Sequence, residues 1–158
     1  MEELAHQVRA LVLAADEYQY AFAHRVGIGL SDASALGHLF HTGPQNPSQI
    51  AARLNLTPAS VTALADRLDA AGYVSRTPHP RDRRQSVLAL TPAGTKLMKE
   101  SFAAFAADIG EAAADEPAGQ LQATSALLER IAVGLRARLT DDGRGRRPAR
   151  TTARVSGR

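Results

Sequence analysis

Two pairs in which a capping residue precedes proline, Asn46-Pro47 and Thr57-Pro58, fix the starts of two short helices within one stretch of chain. Asparagine and threonine side chains accept hydrogen bonds from the free N–H groups of a first helical turn, and proline there has no N–H to satisfy. Gln49, three residues after Asn46, completes a capping box for the first helix. The connection from Leu54 to Leu56 leaves room only for a tight turn. In the second helix Val61, Leu64, Ala65, Leu68 and Ala71 recur at helical spacing and form one apolar stripe to pack on the first helix. Ala59, Ser60, Thr62, Ala63, Asp66 and Arg67 then face outward, and Gly72 suits the position that ends the helix.

A hairpin is expected next. Tyr73-Val74 and Val87 to Leu90 have strand character, and Pro78, Pro80, Arg81, Asp82, Arg83 and Arg84 between them make a charged loop that no core would bury. Three arginines at one tip suit the minor groove of a duplex, where the potential is most negative. Asp82, two residues before Arg84, is placed to brace that guanidinium by a charge-assisted pair. Small and polar outward residues at the start of the second helix let a backbone approach a groove floor while hydroxyls reach base edges. The tip alone is also compatible with a plain solvated turn. Following two capped helices, it points to a winged helix-turn-helix.

The sequence resembles the MarR family of bacterial transcription regulators. The family's wing signature, Asp-x-Arg, five residues, then Leu-Thr-x-x-Gly, is present as Asp82, Arg84, Leu90, Thr91 and Gly94, and its recognition-helix pattern runs from Ser60 to Arg76. By element order the resemblance covers roughly residues 1 to 140. One departure matters: many members carry a basic residue directly after the Val-Thr pair, where this chain has Ala63. Base preference therefore does not carry across. The chain has no cysteine, which removes disulfides, thiolate metal sites and the thiol-based peroxide sensing of some members.

Both ends of the chain carry long apolar stripes. Leu4, Val8, Leu11, Ala15, Tyr18 and Phe22 alternate steps of 4 and 3 in an expected helix over 2–26, the pattern of a coiled-coil seam or of ordinary core. Gly27-Ile28-Gly29 interrupts it, and Ser31 is the expected cap of a second helix bearing Ala35, Leu36, Leu39 and Phe40 and ending near His41 to Pro44. Past the wing, Thr91-Pro92 starts a helix with Leu97, Met98, Phe102, Phe105 and Ile109; Glu116-Pro117 marks a restart before Leu121, Thr124, Leu128, Ile131 and Leu135. Too little chain remains to cover these stripes, so the helices over 2–26 and 92–139 are expected to pair in a homodimer flanking a DNA-binding lobe over 31–91. The resemblance implies the same. Two recognition helices about 34 to 36 Å apart match a pseudo-palindromic site.

His24, His38 and His41 raise the question of a metal, but no acidic residue joins them at ligand spacing, so neither metal nor cofactor is expected. Tyr18, Phe22, His38 and His41 are expected to line a crevice, where the resemblance implies a small aromatic or phenolic effector. Plain packing of half-buried aromatics is the alternative for each.

At 158 residues and 16.8 kDa the chain is one domain's worth, mainly α with a small hairpin. Its net charge of +3 is uneven: residues 141–158 hold six arginines against Asp141 and Asp142, and Arg53 to Arg84 holds six against Asp66, Asp69 and Asp82. A phosphate backbone needs positive charge in such clusters. From Asp141 the composition predicts a disordered basic tail, either an arm adding grip on DNA or a tolerated appendage. An acidic N-terminus and the lack of any apolar run near the ~20 residues of a membrane span point to the cytoplasm and away from a membrane.

Gly-x-Ser-x-Gly, Gly-rich phosphate loops and His-Glu-x-x-His are all missing, which argues against an enzyme. The expected activity is sequence-specific regulation of transcription, most often repression in this family. Ser60, Thr62 and Arg67 would address the major groove, Arg84 the minor groove, and Arg53, Arg76, Arg81 and Arg83 the phosphates. Non-specific DNA binding, or a protein partner without ligand response, is the alternative.

Overall fold

The computed structural model describes residues 1–79 and 82–145, with the side chains of 79, 82–85 and 139–145 outside the description. Met1–Ala107 forms one compact unit and Asp108 onward a second.

The first unit starts with α1 (Glu2–Val26), α2 (Leu30–Thr42), α3 (Pro47–Leu54) and α4 (Pro58–Ala70). Helix α1 stops at Gly27, whose left-handed φ of 74° returns its N–H to the carbonyls of Ala23 and His24. Ser31 is not the cap of α2. Gly29 holds that position without a side-chain hydrogen bond, and Ser31 lies exposed within the first turn. The carboxylate of Asp32 in that turn favours the positive end of the helix electrostatically.

Both cap–proline starts are present. The Asn46 side chain accepts from the Gln49 N–H and the Gln49 side chain from the Asn46 N–H, each at 2.9 Å, while Thr57 Oγ1 accepts from the Ser60 N–H at 3.1 Å. Asn55, in the left-handed region at φ 52°, makes the turn between the two helices. Val61, Leu64, Ala65 and Leu68 of α4 are buried, but Ala71 is exposed because it is already the C-cap, and Gly72 follows at φ 76°.

Strands β1 (Val74–His79) and β2 (Asp82–Leu90) pair antiparallel, from Val74 opposite Leu90 to Pro78 opposite Ser86, with a shift of register before His79 opposite Asp82. The expected loop is thus largely strand. Pro78 is tolerated because a two-stranded sheet consists only of edges. Gln45 adds a bridge to Leu88, with N–H to carbonyl distances of 3.0 and 2.8 Å.

Leu36, Ile50, Val61, Leu64, Leu68, Val74 and Leu88 are fully buried, drawn from α2, α3, α4 and both strands. Each contributes roughly 1.5–3 kcal/mol from leaving water. Leu97 and Met98 of α5 (Pro92–Ala112) pack on this core and also on a smaller cluster of Phe22, Ala23 and Ala33.

The joint between wing and α5 explains the Leu-Thr-x-x-Gly spacing. Thr91 N–H donates to the Tyr73 carbonyl at 3.0 Å, its hydroxyl donates to the Gly72 carbonyl at 2.7 Å, and the same oxygen accepts from Gly94 N–H at 3.0 Å. A Cβ at residue 94 would lie 2.1 Å from the Tyr73 carbonyl oxygen, so only glycine fits.

In the second unit α6 (Ala118–Gly145) begins after Pro117, whose carbonyl accepts from Gln120 and Leu121. The helix extends through Gly145, into the segment where disorder was expected. Once a helix is nucleated each added residue gains a hydrogen bond at little further cost, which carries it past Thr140. The rest of the expected tail, 146–158, lies outside the described residues. Among the described residues no helix is long and apolar enough to cross a membrane.

Gly94→Ala should cost ~1–3 kcal/mol of stability, as overpacking against rigid backbone does. A lower urea midpoint with an unchanged denaturant slope would register it.

Candidate nucleic-acid interface

Helix α4 turns its apolar face to the core, and this decides what remains for the outside. Ser60 and Thr62 are exposed near its start. The Ser60 hydroxyl shares a 2.8 Å hydrogen bond with Thr57 Oγ1, and Thr62 Oγ1 donates to the Pro58 carbonyl at 3.1 Å. Both bonds are local and solvent-facing, so each hydroxyl keeps capacity for an outside partner. Ala59 and Ala63 flank them and are exposed as well.

Arg67 is engaged within the protein. Its Nε donates to Asp32 Oδ2 at 2.9 Å and its Nη2 to Asp32 Oδ1 at 2.6 Å, a two-pronged pair between α4 and α2. The hydrogen bond and then the charge of Asp32 push the guanidinium pKa up, outweighing a small desolvation effect. Arg76 on β1 is engaged too: it pairs with Asp66 of α4, and its Nη2 lies 3.4 Å from the Thr62 carbonyl. Arg53 on α3 is exposed. Arg81 lies outside the described residues, as do the side chains of Asp82, Arg83 and Arg84 and hence the expected brace.

The carboxylates holding Arg67 and Arg76 escaped the sequence reading. Asp32 had a legible signal, since it shares the helical face of Ala35, Leu36 and Leu39, all buried. Asp66 had none beyond being an outward acid on α4.

Tyr18, Phe22 and His41 have different immediate neighbours, and His38 lies within electrostatic reach of His41. Tyr18 meets Phe105 edge-on at 5.2 Å, and Phe22 is buried with Ala23 and Ala33. His41 meets Phe40 edge-on at 5.7 Å and Phe102 edge-on at 6.3 Å. Helix α5 is the common wall, because Phe102 and Phe105 are one turn apart; its stripe was legible, its role beside Tyr18 and His41 was not. An open depression of about 290 Å3 lies nearby, lined by Leu39, Phe40, Pro44, Ala89 and Thr95. It includes none of the four.

His38 is held below its ordinary pKa of 6.5, first by burial and then by the positive charges of Arg53 and His41. The unfolded chain takes up this proton more readily, so the native state loses stability as pH falls below 6.5 and through the lower folded value. His38→Gln should flatten that part of the stability profile in urea unfolding between neutral and mildly acid pH.

Residues 30–86 match the MarR family. Over 85 residues the chain is 35% identical to YcgE, an HTH-type transcriptional regulator of Bacillus subtilis, covering 54% of this chain and 55% of that protein. Over 108 residues it is 29% identical to MhqR, another HTH-type transcriptional regulator of Bacillus subtilis, covering 68% of this chain and 74% of that protein. The match thus spans about half the length of YcgE. A MarR family protein from Bacillus stearothermophilus superposes with a TM-score of 0.72 at 17% identity, covering 85% of this chain and 94% of that one. At that identity the likeness concerns the fold.

Proposed function

We propose that the chain, whose residues 30–86 match the MarR family, is a member of that family and works as a homodimeric repressor that reads a pseudo-palindromic DNA site. The observation that carries this is the outer face of α4: small and hydroxyl-bearing at Ala59, Ser60, Thr62 and Ala63, exposed, and held rigid by a buried opposite face. Such a face admits the close approach that base-edge contacts in a major groove need. Ser60 and Thr62 make those contacts in this reading. Arg84 enters the minor groove, braced by Asp82, while Arg53, Arg81 and Arg83 meet phosphates. Arg76 reaches a phosphate only by sharing with Asp66.

The dimer reading rests on exposed apolar side chains. Leu121, Leu128 and Leu135 recur every seven residues on α6 and are 38%, 41% and 54% exposed in the single chain. Leu4 and Leu11 of α1, also seven apart, are exposed in the same way. Leucines repeated at this period suit a helix seam between two copies.

Release by a small aromatic or phenolic ligand is supported by the aromatic walls around α5. Tyr18 beside Phe105, and His41 and Phe40 beside Phe102, supply flat apolar surfaces with polar edges, and His38 and Phe22 lie on the same two helices, α2 and α1. A ligand there shifts DNA binding only by its differential affinity for two dimer shapes, commonly ~1 to 3 kcal/mol.

Fluorescence-anisotropy binding to the DNA upstream of its own gene, against an unrelated duplex and over several salt concentrations, tests the proposal. Tight, salt-sensitive and selective binding is expected, and Arg84→Ala should weaken it by ~1–3 kcal/mol without loss of fold. Equal binding to both duplexes would leave a non-specific DNA binder; no binding to either would favour a protein partner. For the dimer, Leu128→Asp should lower the mass seen by light scattering, and an unchanged, well-folded dimer would show that this stripe faces elsewhere.

A further inference from the structure

Among the described residues Asp32 is the buried charged side chain, 3% exposed, and it is buried beside the helix proposed to read DNA. Both of its carboxylate oxygens accept from one guanidinium, that of Arg67, whose side chain is 57% exposed. Two parallel hydrogen bonds between planar groups fix orientation as well as distance, which a single bond would not. The first turn of α2 is also tied to α1, because Gln19 Nε2 donates to Ser34 Oγ at 2.8 Å. On the recognition helix Arg67 lies toward the C-terminal end, away from Ser60 and Thr62.

A guanidinium with this exposure looks available to DNA, and the energetics decide otherwise. Moving Arg67 to a phosphate would exchange one two-pronged charge pair for another. It would also leave an ionised carboxylate buried and unpaired, which is strongly unfavourable. We propose that Asp32 and Arg67 form a strut that sets the pose of α4 on α2. Arg67 is then a positioning residue rather than a base or phosphate contact, and selectivity depends on a carboxylate that never meets DNA. The proposal rests on the DNA-reading function above and replaces the sequence-based role of Arg67 in it.

The alternative makes a prediction of opposite sign. If Asp32 only holds Arg67 back from the duplex, Asp32→Asn removes a negative charge and releases a guanidinium, so binding tightens. The strut requires Asp32→Asn to weaken binding, by roughly tenfold, the size of effect that residues away from a ligand commonly exert through packing.

Anisotropy on a duplex that the full-length wild-type protein selects from a random pool, with an unrelated duplex beside it and salt varied, separates the two. Asp32→Asn and Arg67→Ala should each weaken the selected duplex about tenfold, leave the unrelated duplex alone and keep the salt slope. Their combination should weaken it no further, and Arg67→Lys, which lacks the fork, should not restore it. Tighter binding by Asp32→Asn, or a slope reduced by about one in Arg67→Ala as for a lost phosphate contact, would overturn the strut. Should Asp32→Asn fail to fold, Asp32→Leu with Arg67→Met removes both charges and carries the same slope comparison. If the pool yields no preferred duplex, sequence reading itself fails, and the strut is judged by urea unfolding. A cost for Arg67→Ala, which strands the Asp32 carboxylate, that the added Asp32→Asn relieves then supports it, and additive costs overturn it.

Discussion

The burial of one face of α4 is the constraint from which the rest of the lobe follows. Val61, Leu64, Ala65 and Leu68 close the core that α2, α3 and the hairpin line, and their loss from water is the main force holding a helix of only 13 residues. An isolated helix that short is marginal in water. Because stability comes from the inward side, the outward side is free to be small and hydroxylic without cost to folding. The division between a face that folds and a face left exposed is thus set by helical periodicity alone.

Local chemistry was the legible part of the sequence. The caps at Asn46, Thr57 and Thr91, and the end at Gly72, are specified by neighbours three or four residues away, and the structure has each of them. Errors arose where distant residues decide. Ser31 lost the cap to Gly29 once Asp32 turned inward to Arg67, 35 residues on. Strand pairing extended β1 and β2 into the expected loop, since ladder bonds compensate for poor local propensity. Tyr18, Phe22 and His41 share an aromatic residue type at the level of sequence, whereas packing gives them different immediate neighbours: Phe105, Ala23 with Ala33, and Phe102. The resemblance to the MarR family, by contrast, was readable because its motif spans one continuous stretch.

Charge on the reading lobe is less available than a count suggests. Of the six arginines from Arg53 to Arg84, Arg67 and Arg76 are held by carboxylates of the same lobe. Their fields are partly cancelled at close range by those carboxylates. Arg76 ties β1 to α4 much as Arg67 ties α2 to α4, so the recognition helix is braced from two sides by ion pairs and from beneath by apolar contact.

The joint at Thr91 has a mechanical consequence. Its hydroxyl takes hold of Gly72, just past the end of α4, while capping α5, and Gly94 sits against the backbone of Tyr73 with no room for a methyl group. The end of the recognition helix and the start of α5 act as two arms of one crank, with the root of the wing as its axle. A tilt of α5's first turns would therefore reach the end of α4 through these contacts at the root of the wing.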